Sequence, residues 1–149
     1  MFKFNKFENL RNDELSLIIK KTTPENQQKG YVPAYLFSII EHRSNKEVGF
    51  IDIRIGYNKG LYYGGHIGYT VYEEHRGNNY ALKACRIIKH VAKHHDMEKL
   101  YVTCSPNNIA SRRTCEKLGL KLLEIADLPK DNDMYLEGHR QKCIFLWEL

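Results

Sequence analysis

The sequence has no long apolar run, no paired-cysteine motif and only four prolines in 149 residues. No stretch approaches the ~18 apolar residues that cross a bilayer, so no membrane association is expected. The opening MFKFNKFENL lacks the apolar segment of a secretory leader. The four cysteines, Cys85, Cys104, Cys115 and Cys143, include no CxxC pair, which removes the usual zinc and dithiol motifs. Free thiols without a leader fit a reduced, cytoplasmic setting. His90 and His94 have i,i+4 spacing, but no glutamate follows His90, so the metalloprotease pattern fails and no metal is expected.

Negative charge is in the minority. Lys and Arg number 23 against 18 Asp and Glu, for a net charge of +5. The basic residues are spread along the chain. Their densest group, Lys83, Arg86, Lys89, His90 and Lys93, reads as the solvated side of one helix. Nucleic acid is therefore not the expected partner, whereas a polyanionic small molecule would gain from the positive field.

The length suits one domain over residues 1–149, able to bury roughly 70% of its unfolded surface. Leu15–Lys21 reads as a strand. Tyr31–His42 and Glu47–Ile55 are rich in β-branched and aromatic residues and form a hairpin around Ser44-Asn45-Lys46. Gly60, Gly64 and Gly65 bracket a loop before a strand over His66–Tyr72. Ala81, Ala84, Cys85, Ile88, Val91 and Ala92 recur at helical spacing, so Tyr80–His95 is an amphipathic helix. Leu100–Cys104 is a short strand, and Ile109–Leu118 a second helix opened by Asn108 and closed by Gly119. Lys121–Ile125 and Cys143–Leu149 are strands joined by a long polar loop. Strands dominate early and helices enter late, an α+β layout with a mostly antiparallel sheet.

Two constellations carry chemistry. The first is Arg76-Gly77-Asn78-Asn79-Tyr80-Ala81, which joins a strand to a helix. Gly77 adopts positive φ freely, and asparagine tolerates it better than most residues. Such a turn can aim successive N–H groups at phosphate oxygens, with the helix dipole adding to the field. Arg76 can add a charge-assisted bond. A plain strand-to-helix connection fits that turn equally well. The second is Asn108-Ile109-Ala110-Ser111, followed by Glu116-Lys117-Leu118-Gly119. Asn108 either caps its helix or bonds a ligand lying between the two helices.

In order and spacing, Val71, Glu74, Arg76, Ala81, Asn108, Ser111, Glu116, Lys117 and Gly119 resemble the signature of the GNAT superfamily of acyl-CoA N-acyltransferases. The resemblance runs from about Ile67 to Glu124. It implies a three-layer α/β/α fold whose twisted sheet splays open after the Val71 strand, with a shortened N-terminal helical region. It implies acetyl-CoA as co-substrate. The pantetheine arm would bond backbone near Val71, the pyrophosphate would rest on Gly77, Asn78, Asn79, Tyr80 and Ala81, and Asn108 and Ser111 would meet the arm. The implied activity is acetyl transfer to a primary amine, a small molecule or a protein N-terminus, possible in a homodimer. The alternative is an acyl-CoA-binding sensor without turnover.

Three departures follow. The loop's usual fourth-position glycine is Asn79. The tyrosine that many members use to protonate the leaving thiolate falls at Cys115, which becomes either the acid or a small core residue. Between Lys21 and Tyr31 there is little room for the two helices that commonly wall the acceptor site. Deprotonating a lysine side chain at pH 7 costs roughly 4–5 kcal/mol, an α-amine about 1–1.5. A base is thus wanted, and His66, at the head of the Val71 strand, is the expected one. A strand-end histidine bonded to a loop is the competing reading.

Overall fold

The computed structural model describes residues 1–149 and divides the strands into two sheets. Strands β1 (Leu15–Thr23), β2 (Ala34–Glu41), β3 (Lys46–Arg54) and β4 (Ile67–Val71) form an antiparallel sheet in that order. Strands β5 (Lys99–Cys104), β6 (Lys121–Asp127) and β7 (Gln141–Glu148) form a second antiparallel sheet in the order β5-β7-β6. The helices are α1 (Lys59–Gly64), α2 (Tyr80–His94), α3 (Ile109–Lys117) and α4 (Asp133–Leu136).

Period-2 alternation fixes which side of the first sheet is covered. Tyr35, Phe37 and Ile39 on β2, with Ile51 and Ile53 on β3, are fully buried. The apolar stripe of α2, including Ala84, Cys85, Ile88 and Val91, belongs to the same core cluster. Truncating one such side chain, Ile88→Ala for example, costs about 2–5 kcal/mol. Phe2, Phe4 and Phe7 pack onto this core from the N-terminal segment, with Phe4 and Phe7 both edge-on to Tyr35.

The opposite face of the first sheet presents Ile18, Leu36, Ser38, Ile40, Phe50, Asp52, Arg54 and Thr70, none of them buried. No helix lies between β1 and β2; a loop with one isolated bridge, Asn26 to Tyr31, takes that place. The N-terminal helical region expected to be short is absent.

Two short helices escaped the sequence reading. Helix α1 contains Gly60 and Gly64, which argue for a loop. It forms because Asn58 Oδ1 accepts the Leu61 N–H at 2.9 Å and Leu61 is buried. Helix α4 starts the same way within the polar loop, with Asn132 Oδ1 accepting from Met134 N–H at 2.9 Å.

The two sheets meet at one residue pair. His66 N–H donates to the Tyr101 carbonyl at 2.7 Å, and Tyr101 N–H donates to His66 Nδ1 at 2.9 Å. An imidazole thus supplies the acceptor that a strand carbonyl supplies elsewhere in a ladder. Past this pair β4 and β5 share no ladder, and the sheet opens.

Candidate active site

The loop after β4 is built around positive φ. A short 3-10 turn, Glu73–His75, leads into Gly77 at φ 91° and Asn79 at φ 57°. A Cβ on Gly77 would meet nothing within 4 Å, so the glycine is required by backbone angle rather than by space. Asn79 precedes α2 but does not cap it with its side chain; Lys117 Nζ, at the end of α3, donates to Asn79 Oδ1 at 3.0 Å. The N–H groups of Gly77 through Leu82 donate to no protein acceptor. Six consecutive free donors at a helix N-terminus make a strong anion seat. Gly77, Asn79, Tyr80 and Ala81 of this run border a cleft of about 720 Å³ whose walls carry His75, Arg76, Arg113 and Lys117 and no carboxylate. Arg113 and Lys117 were not among the expected site residues. Their i,i+4 spacing, which puts both on one side of α3, was the available signal.

The cleft continues into the gap between the sheets. Tyr72 N–H donates to Val48 O, and Arg54 N–H to His66 O. Antiparallel alternation then turns Gly68 and Thr70 toward β3, and the backbone of Ile67, Tyr69 and Val71 toward the gap. The Val71 carbonyl is already engaged, accepting from Arg76 Nε at 3.1 Å. Asn108 Oδ1 caps α3 by accepting the Ser111 N–H at 3.1 Å, while its amide nitrogen donates to no protein group. Tyr69 Oη donates to Ser111 Oγ at 3.3 Å. The gap itself is a cavity of about 260 Å³ that shares Tyr69, Asn108 and Ser111 with the cleft. Free amides, basic walls and an open strand edge in one continuous groove fit a pyrophosphate ligand with a long amide-bearing arm.

The expected cofactor-site residues Val71, Arg76, Gly77, Asn79, Tyr80, Ala81, Asn108 and Ser111 all line the cleft. Asn78 is beside it, its side-chain amide donating to the His75 carbonyl at 3.0 Å. Tyr80 contributes only backbone there. Its ring is buried and its hydroxyl donates to the buried Glu41 carboxylate, anchoring the first turn of α2 to the end of β2. That bond pushes the Tyr80 hydroxyl up to about 12 and holds Glu41 below the usual carboxylate range.

The two expected catalytic residues are differently placed. His66 is fully buried, and both ring nitrogens are engaged: Nδ1 accepts from Tyr101 N–H, and Nε2 donates to the Gly56 carbonyl at 2.8 Å. Burial holds its imidazole below the ordinary histidine range. This geometry corrects the expectation of a base, because neither nitrogen is free to take a proton. Cys115 lines the gap but is 1% exposed, and burial pushes its thiol up to about 12. It packs as a core residue, the second of the two roles considered.

On the open face of the sheet lies a further cavity of about 530 Å³, walled by Tyr31, Asn58, Asp133 and Met134 among others. It meets the gap at Arg54 and Gly64. Thr23, Gly30 and Tyr31 bring the β1–β2 connection to its wall, and the polar loop before β7 supplies another part through Asn132, Asp133 and Met134.

The model for an acetyltransferase (GNAT) domain matches residues 4–121. Solved structures share the fold. The ribosomal-protein-S5-alanine acetyltransferase of Vibrio fischeri is 18% identical with a TM-score of 0.61, covering 77% of this chain and 61% of its own. RimL, a ribosomal L7/L12 alpha-N-protein acetyltransferase solved with coenzyme A, is 18% identical with a TM-score of 0.61 (83% of this chain, 65% of its own). The microcin C7 self-immunity acetyltransferase MccE, solved with acetyl-CoA and AMP, is 17% identical with a TM-score of 0.61 (83% and 64%). The chain therefore spans less than two thirds of the length of these structures. No curated protein sequence matches it. The chain belongs to the GNAT acetyltransferase family, the family its two motif blocks resemble.

Proposed function

We propose that this protein transfers the acetyl group of acetyl-CoA to a primary amine, on a small molecule or a protein N-terminus. One observation carries the reading: the unpartnered amides of Gly77, Asn79, Tyr80 and Ala81 border a carboxylate-free basic cleft that runs on into the open edge of β4. The loop amides, Arg113 and Lys117 hold the pyrophosphate. The Ile67 and Tyr69 backbone and the Asn108 amide orient the arm so that the thioester faces the gap. The bound co-substrate supplies the activated acyl group. Similarity in fold to enzymes named for N-terminal amine acceptors supports an α-amine, as does its smaller deprotonation cost.

Free-thiol release from acetyl-CoA, measured over a panel of amines and N-terminal peptides, tests the reading. CoA at ~100 times its Kd should also stabilise the fold by about 2.7 kcal/mol. A melt that does not move with millimolar CoA overturns it. The second reading, an acyl-CoA sensor without turnover, draws on the engagement of both His66 nitrogens and the burial of Cys115. It predicts the same melt shift with no thiol release. Four free, buried thiols suit a reducing cytoplasm. A homodimer would draw on edge strand β6, which exposes Leu122, Leu123 and Ile125; sedimentation velocity decides it.

A further inference from the structure

Helix α2 carries a charge pattern that its fold does not require. Its outer face presents Lys83, Arg86, Lys89, His90, Lys93 and His94. No carboxylate occurs from Tyr80 to His94, although 18 of the 149 residues are acidic. Lys83, Arg86, Lys89 and Lys93 thus place four of the five net positive charges on one helix. Exposed helix faces ordinarily mix both signs, because opposite charges at i,i+4 stabilise a helix and like charges oppose it. Only Lys83 is paired, with Glu14 at 2.7 Å. Arg86, Lys89 and Lys93 form no ion pair, not even with Asp96 and Glu98, which follow the helix. The N-terminal segment lies against the end of α2, Phe2 on His95 and Phe7 on His94, and it carries the exposed Lys3 and Lys6. A solvated face accounts for the exposure but not for the missing carboxylates.

We propose that the outer face of α2 docks this protein onto double-stranded RNA through the phosphate backbone, apart from the cofactor cleft. Arg86, His90 and Lys93 form one row at helical spacing, and Lys89 flanks it. Neighbours in this set are about 5–6 Å apart, on a rod roughly 22 Å long. Cations that neutralise phosphates release condensed counterions, which supplies affinity without apolar burial. None of the four cations of α2 lines the cofactor cleft, which takes only Tyr80 and Ala81 from this helix. RNA and CoA can therefore be held together.

The make-up of the face selects among polyanions. Protein interfaces rest on aromatic or aliphatic anchors at their centre, and none of the large exposed apolar side chains lies on α2. Single strands need open ring faces on which bases stack. Trp147, over which Lys89 lies, is 7% exposed, and the His94 ring is already packed on Phe7 and His95. A helix that reads B-DNA must enter a groove about 8.5 Å deep. Helix α2 is sunk in the core along its whole length, from Tyr80 and Leu82 to Val91 and Ala92, so only a shallow convex surface stands out. The wide, shallow minor groove of an A-form duplex, with its bordering phosphates, accepts that shape.

The test titrates the full chain into a fluorescein-labelled RNA duplex of mixed sequence, about 20 base pairs long, and follows anisotropy from roughly 50 to 200 mM salt. One variant combines Arg86→Gln, Lys89→Gln and Lys93→Gln. A second combines Lys29→Gln, Lys46→Gln and Lys130→Gln, removing the same charge from exposed sites elsewhere. Wild type should bind, and its affinity should fall steeply with salt. The α2 variant should bind at least about tenfold more weakly, and its log–log salt slope should be shallower by about three, one for each cation lost. The second variant should stay within about threefold of wild type. Independently of any variant, the duplex should protect Lys89 and Lys93 of wild type from acylation by an N-hydroxysuccinimide ester, read by mass spectrometry, and leave Lys29 and Lys130 open. Absence of wild-type binding, equal weakening in the two variants, or no protection of Lys89 and Lys93 overturns the proposal. Duplex DNA or polyglutamate binding as tightly as the RNA overturns the choice of partner and the proposal with it. The assay contains no CoA, so each of these results leaves the acetyltransferase reading to its own test.

Discussion

His66 Nδ1 accepts the backbone N–H of Tyr101 at 2.9 Å, so a side chain completes the only hydrogen-bonded join between the two sheets. Replacing it with alanine leaves the Tyr101 N–H and the Gly56 carbonyl without partners. The expected loss is on the order of 2–5 kcal/mol, read by urea unfolding at pH 7. Full stability in His66→Ala would mean that the join contributes nothing.

Acid should loosen the same join. The native pKa of His66 lies below its unfolded value of 6.5, so the native state binds fewer protons than the unfolded one. Its contribution is complete above pH 6.5 and is lost as pH falls through the native pKa. His95 is also held low by burial and adds to the slope. Wild type should melt lower at pH 5 than at pH 7, and His66→Ala should show a shallower dependence. Parallel profiles for the two proteins would refute the linkage.

Gly77→Val tests the phosphate loop. At φ 91° a β-branched residue is strained by roughly 1–3 kcal/mol, yet its Cβ touches nothing in the protein. The fold should survive, while CoA affinity drops tenfold or more by calorimetric titration. Unchanged affinity would place the phosphates elsewhere.

Asn108 permits a cleaner separation of roles. Asn108→Asp keeps an oxygen to cap Ser111 N–H but removes the amide donor that faces the groove, whereas Asn108→Ala removes both. Alanine should cost about 1 kcal/mol of stability and aspartate much less. Both should weaken CoA binding. Aspartate binding CoA as tightly as wild type would leave Asn108 as a cap alone.

Cys115→Ala should keep kcat/KM within about threefold, the rate change being far below the 10²- to 10⁴-fold of a lost acid. A thiol pushed up to about 12 is a poor proton donor. A drop beyond a hundredfold, with fold intact by circular dichroism, would restore Cys115 as the acid.

The residues that were legible in sequence are those whose roles are local. The α2 stripe and the Arg76–Ala81 turn are written within one or two helical turns, so periodicity and positive-φ preferences expose them. His66 was misread because its partners, Gly56 and Tyr101, come from 10 and 35 residues away. Helix α1 was hidden by its two glycines and revealed by the Asn58 cap and the buried Leu61.

The gap between β4 and β5 also sets how the molecule breathes. Ladder bonds open in concert, but across this seam there are side-chain contacts and one bonded pair. The two sheets are therefore expected to exchange as separate units although they share one core, with the outward-facing amides of Ile67, Tyr69 and Thr103 along the boundary. A ligand arm lying in the seam supplies donors and acceptors where a strand would have been. Deuterium uptake along this line would then fall together in both sheets, the small molecule serving as the missing rung of a single seven-stranded cooperative body.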